Sequence, residues 1–428
     1  MTGCRSRGRL AGPALALLLA VSSSSLVLAQ VGPPVQLVPR EPAPQATPLP
    51  PPPGTAPAAP APTPAAPAPD QPPVLEVEPG GIQVGKLAAV DPSSTGTLDE
   101  GNGGLPSSLW RGTPASLVDV LLPKLSASTS PALQLLARRL LLSTAAVPAG
   151  TTAAVPNLLA LRIQALDRLG LVEDAGKLAQ AAPGQFADPN FILASRDAFW
   201  LSGNTKAACG RLNQQADAAR DQAWAKASAF CHALVGEHEA ASISAELMRE
   251  QNVSDVHFFA LFGVVNGESD IKLASLPDPP PLILAMLRAS NKPVPPDVLK
   301  GAPPATFAAV AAMGNAAPAL RVAAAERAAA FGGVTPAGLG KLYLQQSFPP
   351  ELLAKAPTAA KANKDGLGNA LMYQAVQAEK VPAAEAEAIA AAFALARGAA
   401  VPPPLWLQRL YGPILFRIAP GPGVVWFA

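Results

Sequence analysis

The chain has 428 residues, in which 32 lysines and arginines face 30 aspartates and glutamates, a formal charge of +2. Charged residues make up 14%, against about a quarter in ordinary soluble proteins. No basic run is present and basic residues do not interleave with aromatics, which speaks against nucleic acid as a partner. No cofactor is implied.

Residues 1–29 read as a signal peptide. Arg5, Arg7 and Arg9 form a positive start, an apolar run follows, and Val27 and Ala29 are the small residues before a cleavage site at Gln30. The run is short and interrupted by serines, so no stable membrane span is expected. Alanine and proline richness suggests a GC-rich bacterial genome, and with it a periplasmic or secreted protein. Cleavage removes Cys4 and leaves Cys209 and Cys231, an even number in an oxidising compartment.

Residues 30–73 form a Pro/Ala-rich linker. Proline lacks the N–H and fixes φ, so this stretch is expected to be disordered, with polyproline II character and a span of roughly 120 Å. Residues 74–112 are predicted as a small β-hairpin and loop: "VLEVE" alternates, "PGG" turns, and "IQVGKLAAV" returns. Gly80, Gly85 and Lys86 come close to a phosphate-binding loop. Leu87, however, stands where serine or threonine must hold magnesium, and no helix follows.

From residue 113 the pattern turns helical, and residues 113–274 are predicted as a helical repeat region. "SPALQLLARRLLLS" places Leu133, Leu136, Ala137 and Leu140 on one stripe. Gly170, Gly203 and Gly236 then recur every 33 residues, each followed at the fifth position by alanine: Ala175, Ala208 and Ala241. A fixed period of this size marks stacked helical hairpins. Glycine closes the first helix in a left-handed conformation, and a small alanine lets the second approach. A looser glycine ladder continues through Gly267, Gly301, Gly332, Gly366 and Gly398. Residues 275–428 are predicted as Ala/Pro-rich short helices that continue the stack, several opening with proline at the first helical position. The fold class expected is thus mostly α: an α-solenoid of antiparallel hairpins, with the small β-hairpin and the disordered linker ahead of it.

"LGLVEDA" (Leu169–Ala175) resembles the second half of a tetratricopeptide repeat, and the resemblance spans residues 157–267. The chain is also similar to alphaproteobacterial envelope proteins with no function attached. The resemblance implies helix-turn-helix units and a role in binding other proteins.

Cys209 and Cys231 lie eleven residues either side of Arg220. If the turn falls near 218–221, one cysteine sits as far down its helix as the other sits up the next. The two then meet at one height, and a disulfide between repeats is expected. No second cysteine or well-spaced histidine accompanies either one, so a metal site is not expected.

Few residues suggest chemistry. Ser269 and Lys272 match a serine-x-x-lysine pattern whose companion motifs are absent. His232, His238 and His257 match no ligand spacing. Phe199, Trp200, Phe230, Phe258 and Phe262 read as core. Curvature gathers the first helix of each hairpin on an inner face. Arg162, Arg196, Lys226 and Asp255 are the candidate partner-binding residues there, on the premise that a charge on an apolar repeat helix faces solvent. The expected function is a non-catalytic scaffold or adaptor for another envelope protein or peptide. The alternative is the accessory helical region of a glycan-cleaving or other hydrolytic envelope enzyme. The sequence has no signature of oligomeric state.

Overall fold

The computed structural model describes residues 91–150, 157–183, 188–214, 221–363, 365–397 and 404–418. The signal peptide, the linker, the hairpin at 74–90, Gly398 and the C-terminal segment 419–428 lie outside the described residues. Within them the protein is mostly helical, and no strand forms. The loop expected after the hairpin is well structured. Asp91 caps a 3-10 turn at Pro92–Ser94, and Asp99 with Asn102 makes a capping box around a second at Glu100–Asn102. The N–H groups of Thr97 and Leu98 donate to the Leu142 carbonyl, fastening the loop to the end of a later helix.

The N-terminal helices are α1 (Ala115–Leu121), α2 (Pro131–Leu142), α3 (Leu158–Arg168), α4 (Val172–Ala181), α5 (Pro189–Ser202), α6 (Thr205–Leu212), α7 (Gln222–Leu234), α8 (His238–Glu250) and α9 (Val256–Val265). Helices α3/α4, α5/α6 and α7/α8 are consecutive pairs packed on one another. Asn157, Asp188, Asn204, Asp221 and Asp255 cap the helices they precede through side-chain acceptors. The repeat signature has its expected structure. Ala175, Ala208 and Ala241 are completely buried. Gly170, Gly203 and Gly236 have φ of 82°, 85° and 83°. The looser rungs Gly267, Gly301, Gly332 and Gly366 also take positive φ, so every described rung is left-handed.

These glycines differ in surroundings, which gives a graded prediction. A Cβ on Gly170 would lie 2.8 Å from the Pro304 side chain, whereas one on Gly236 meets nothing within 4 Å. Gly236→Ala is expected to cost about 1 kcal/mol from left-handed strain alone. Gly170→Ala is expected to cost roughly 2–3 kcal/mol, because Pro304 must also shift. Denaturant titration checks the order, and equal losses at both sites would refute it.

The C-terminal half comprises α10 (Pro281–Ser290), α11 (Pro304–Ala311), α12 (Pro318–Ala330), α13 (Pro336–Leu344), α14 (Pro350–Ala354), α15 (Ala356–Ala362), α16 (Gly368–Ala378), α17 (Pro382–Arg397) and α18 (Leu405–Arg417). Proline opens six of the nine, where its missing N–H leaves no hydrogen bond unmade. This half does not simply extend the row of hairpins. Helix α10 packs on α5, α7 and α9, and α11 packs on α3, α4 and α5. The chain folds back across the face that the first helices of the hairpins present. Gln134 of α2 donates to the Ala330 carbonyl at 2.9 Å and accepts from Arg409 of α18 at 3.0 Å, tying α2 to α12 and α18. The reversal follows from the apolar character of the inner helices. Helix α9 reads "VHFFALFGVV", and a helix apolar on most sides needs cover on most sides.

Candidate functional site

A disulfide joins Cys209 of α6 to Cys231 of α7, with a Cα–Cα separation of 5.7 Å. It staples one hairpin to the next, as the spacing of the two cysteines predicts.

The four charged residues of the inner face divide. Arg162 does not face solvent. It is 1% exposed, and its guanidinium donates to the carbonyls of Leu141 (2.6 Å), Thr95 (2.7 Å) and Ser143 (2.8 Å), with a longer contact to Ser93. Burial lowers its pKa to about 10. The premise that its charge marks a wet surface is therefore corrected: Arg162 clamps the 91–98 loop and the end of α2 onto α3. Other arginines do similar work. Arg211 reaches the Ala179 carbonyl in the last turn of α4, and Arg288 reaches Trp200 and Leu201 in the last turn of α5. These are carbonyls at helix ends, where a cation complements the helix dipole; that of Trp200 also accepts from the Gly203 N–H at 3.2 Å.

Arg196 is also buried, at 8% exposure, so it too departs from the expected solvent-facing position. Its Nε donates to Asp197 at 2.9 Å, and its guanidinium lies 4.9 Å from the centre of the Trp200 ring. Lys226 and Asp255 pair at 2.6 Å, joining α7 to the cap of α9. Burial pushes the Asp255 carboxyl up, but hydrogen bonds from Lys226 and the Phe258 N–H outweigh it and hold the pKa below the usual value.

Three of the four residues nonetheless converge. Arg196, Lys226 and Asp255 line one pocket of about 250 Å³, together with Asp197 and Trp200 and with Pro281 at the start of α10. The pocket is the space left where α10 crosses the inner helices. Its charges alternate as two ion pairs. Asp197 keeps an open edge, its side chain 38% exposed. Burial, stronger than the pull of Arg196, raises its pKa. Behind it lies Asp167 on α3, whose Oδ1 is sealed from solvent without a hydrogen bond. Burial, and next the charge of Asp197, raise the Asp167 carboxyl well above its ordinary value.

Trp200 was legible only as core, and at 2% exposure it is core. Its indole N–H has no hydrogen-bond acceptor. A buried donor of this kind costs about 1–3 kcal/mol when unmade. No sequence signal foretold that, because an unmet donor is a property of packing.

Ser269 lies in the loop after α9, its N–H bonded to the Gly263 carbonyl. His232 pairs with Glu237, and His238 with Asn266. Among the described residues no group of three or more His, Cys, Asp or Glu side chains is placed to hold a metal ion. No helix among them is long and apolar enough to cross a membrane. No family model matches the chain, and no curated protein or solved structure matches it significantly.

Proposed function

We propose that this chain is an exported, non-catalytic helical-repeat scaffold of tetratricopeptide-like architecture. It binds a peptide segment of another envelope protein, and its Ala/Pro-rich linker supplies reach. The observation that carries this reading is the pocket between α5, α7, α9 and α10, which four charged side chains line: Arg196, Asp197, Lys226 and Asp255. A bound peptide engages the charged side chains that line the pocket. Its charged side chains exchange with the Arg196–Asp197 and Lys226–Asp255 pairs, which balance in sign and so favour a segment carrying both charges. The disulfide between α6 and α7 fixes α7, one wall of the pocket, to the preceding hairpin and suits an oxidising compartment.

Peptide-library selection on the purified protein, followed by calorimetry, tests the proposal. Trp200→Phe keeps a large ring and removes the donor. The donor is sealed in the core, so the variant is expected to leave the affinity of a selected peptide unchanged and the melting temperature unchanged or higher. Lys226→Ala with Asp255→Ala is expected to weaken a selected peptide about tenfold, and Arg249→Ala on α8 is a neutral control. Deleting 33–73 is expected to leave the affinity of the isolated peptide intact. Selected peptides that bind wild type and the Lys226/Asp255 variant equally place recognition elsewhere.

A further inference from the structure

All three tyrosines of the chain meet in one place in the C-terminal half, around a carboxylate. Tyr343 of α13 and Tyr411 of α18 are fully buried. The Tyr373 ring of α16 stacks against both, its centre 5.7 Å from each. Glu326 of α12 is partly buried against this cluster. Its Oε1 accepts from the Tyr343 hydroxyl at 2.6 Å and from the Asn369 amide at 3.0 Å. One carboxylate therefore ties α12 to α13 and α16, while α18 packs on α12 and α13.

Both donors to Glu326 are neutral, and no cation among the described residues pairs with it. On its own helix Arg321 turns to the Ala311 carbonyl, and Arg327 to the Leu299 carbonyl and the Phe307 ring. Helices α11 and α16 carry no charged residue. Lys341 of α13 is exposed. On α18, Arg409 donates to Gln134 and Arg417 to Glu385. A carboxylate withdrawn from water without a cation is costly while it stays ionised. Burial outweighs the two hydrogen bonds and raises the pKa of Glu326. The neutral carboxyl keeps an acceptor oxygen and adds an O–H donor, in a cluster where the buried Tyr411 hydroxyl has no partner. We infer that Glu326 is a proton-operated fastener: in mild acid it takes up a proton, and α12, α13, α16 and α18 grip one another more firmly. By linkage, a carboxyl whose pKa folding raises adds no stability above its folded value. It adds stability as the pH falls through that value, and its full share below the ordinary glutamate value of about 4.3. Because Arg409 of α18 holds Gln134 of α2, the same protonation steadies the contact between α18 and α2.

Nuclear magnetic resonance of the full chain, labelled at the tyrosine ring ζ carbon, tests this, because every tyrosine reports on the one cluster. The signals are expected to shift between about pH 7.5 and 5, with a midpoint above the ordinary glutamate value, and the urea midpoint is expected to rise over the same range. Glu326→Gln keeps the acceptor oxygen and cannot titrate. It is expected to hold the tyrosine signals still and to be at least as stable as wild type at pH 7.5. Burial raises the Asp167 and Asp197 carboxyls as well, so the urea midpoint of the variant should still rise on acidification, but by less. Tyrosine signals that stay still above the ordinary glutamate range, or that move equally in Glu326→Gln, overturn the inference. So does a Glu326→Gln protein that is less stable than wild type at pH 7.5, since the site would then be built for the charged form.

Discussion

Arg162→Met is expected to lower the stability of the protein by about 4 kcal/mol. The guanidinium is the shared donor for three close carbonyls on two separate segments, Leu141 and Ser143 at the end of α2 and Thr95 in the loop before it. Methionine fills a similar volume but donates nothing. Each carbonyl left dry and unpaired costs about 1–3 kcal/mol, and sparing the burial of a guanidinium returns part of that. The loss should lower the melting temperature by on the order of 10 °C. Hydrogen exchange should rise first at the N–H groups of Thr97 and Leu98, which bind the Leu142 carbonyl in the clamped segment. Unchanged melting and unchanged exchange would show that the clamp is not what holds the 91–98 loop. Arg162 does not reach solvent, so any effect of this substitution on peptide binding should vanish once the comparison is made well below the melting point.

Removing the disulfide by Cys209→Ser with Cys231→Ser should cost about 3 kcal/mol in the chain-entropy model for a closed loop of 22 residues. Few other contacts join α6 to α7: the Trp224 indole donates to the Leu212 carbonyl at 3.3 Å, and the segment between them is not among the described residues. Chemical denaturation with and without reductant measures the loss in the wild type, and the double variant should show none beyond it. Limited proteolysis should cut between α6 and α7 earlier in the reduced protein. A reduced protein as stable as the oxidised one would mean that packing alone sets the register of these hairpins.

Much of the fold could be read from spacing. The recurrence of Gly170, Gly203 and Gly236 with their alanines encodes a backbone conformation and a close helix approach, both local and both visible in residue type. The cysteine pair could be read because helical rise converts sequence distance into height. The position of α10 and α11 could not. An apolar helix shows that it must be covered, but not which later segment covers it. The charged residues were misread for a related reason. On a helix surface Arg196 and Arg162 look alike to any rule based on polarity, yet carbonyls distant in sequence draw Arg162 inward, while Asp197 and the Trp200 ring of its own helix hold Arg196. Conversely, the stripe of Leu133, Leu136 and Leu140 reads as core, but only Leu140 is substantially covered. Of the pocket, the sequence supplied three charged residues and not the wall from α10 or the unmet indole.

The return of the C-terminal helices onto α3 and α5 bears on how the chain acquires its structure. In an open row of hairpins each unit touches only its neighbours, so stability adds unit by unit and ends can fray or be trimmed. Here Gln134 binds residues 196 and 275 positions away, and Arg288 binds Trp200 across 88. Such distant closures must wait for nearly the whole polypeptide, which slows folding and welds the described helices into one cooperative transition. As the chain is synthesised, the early hairpins therefore emerge with their inner face bare until residues 281–311 arrive to cover it.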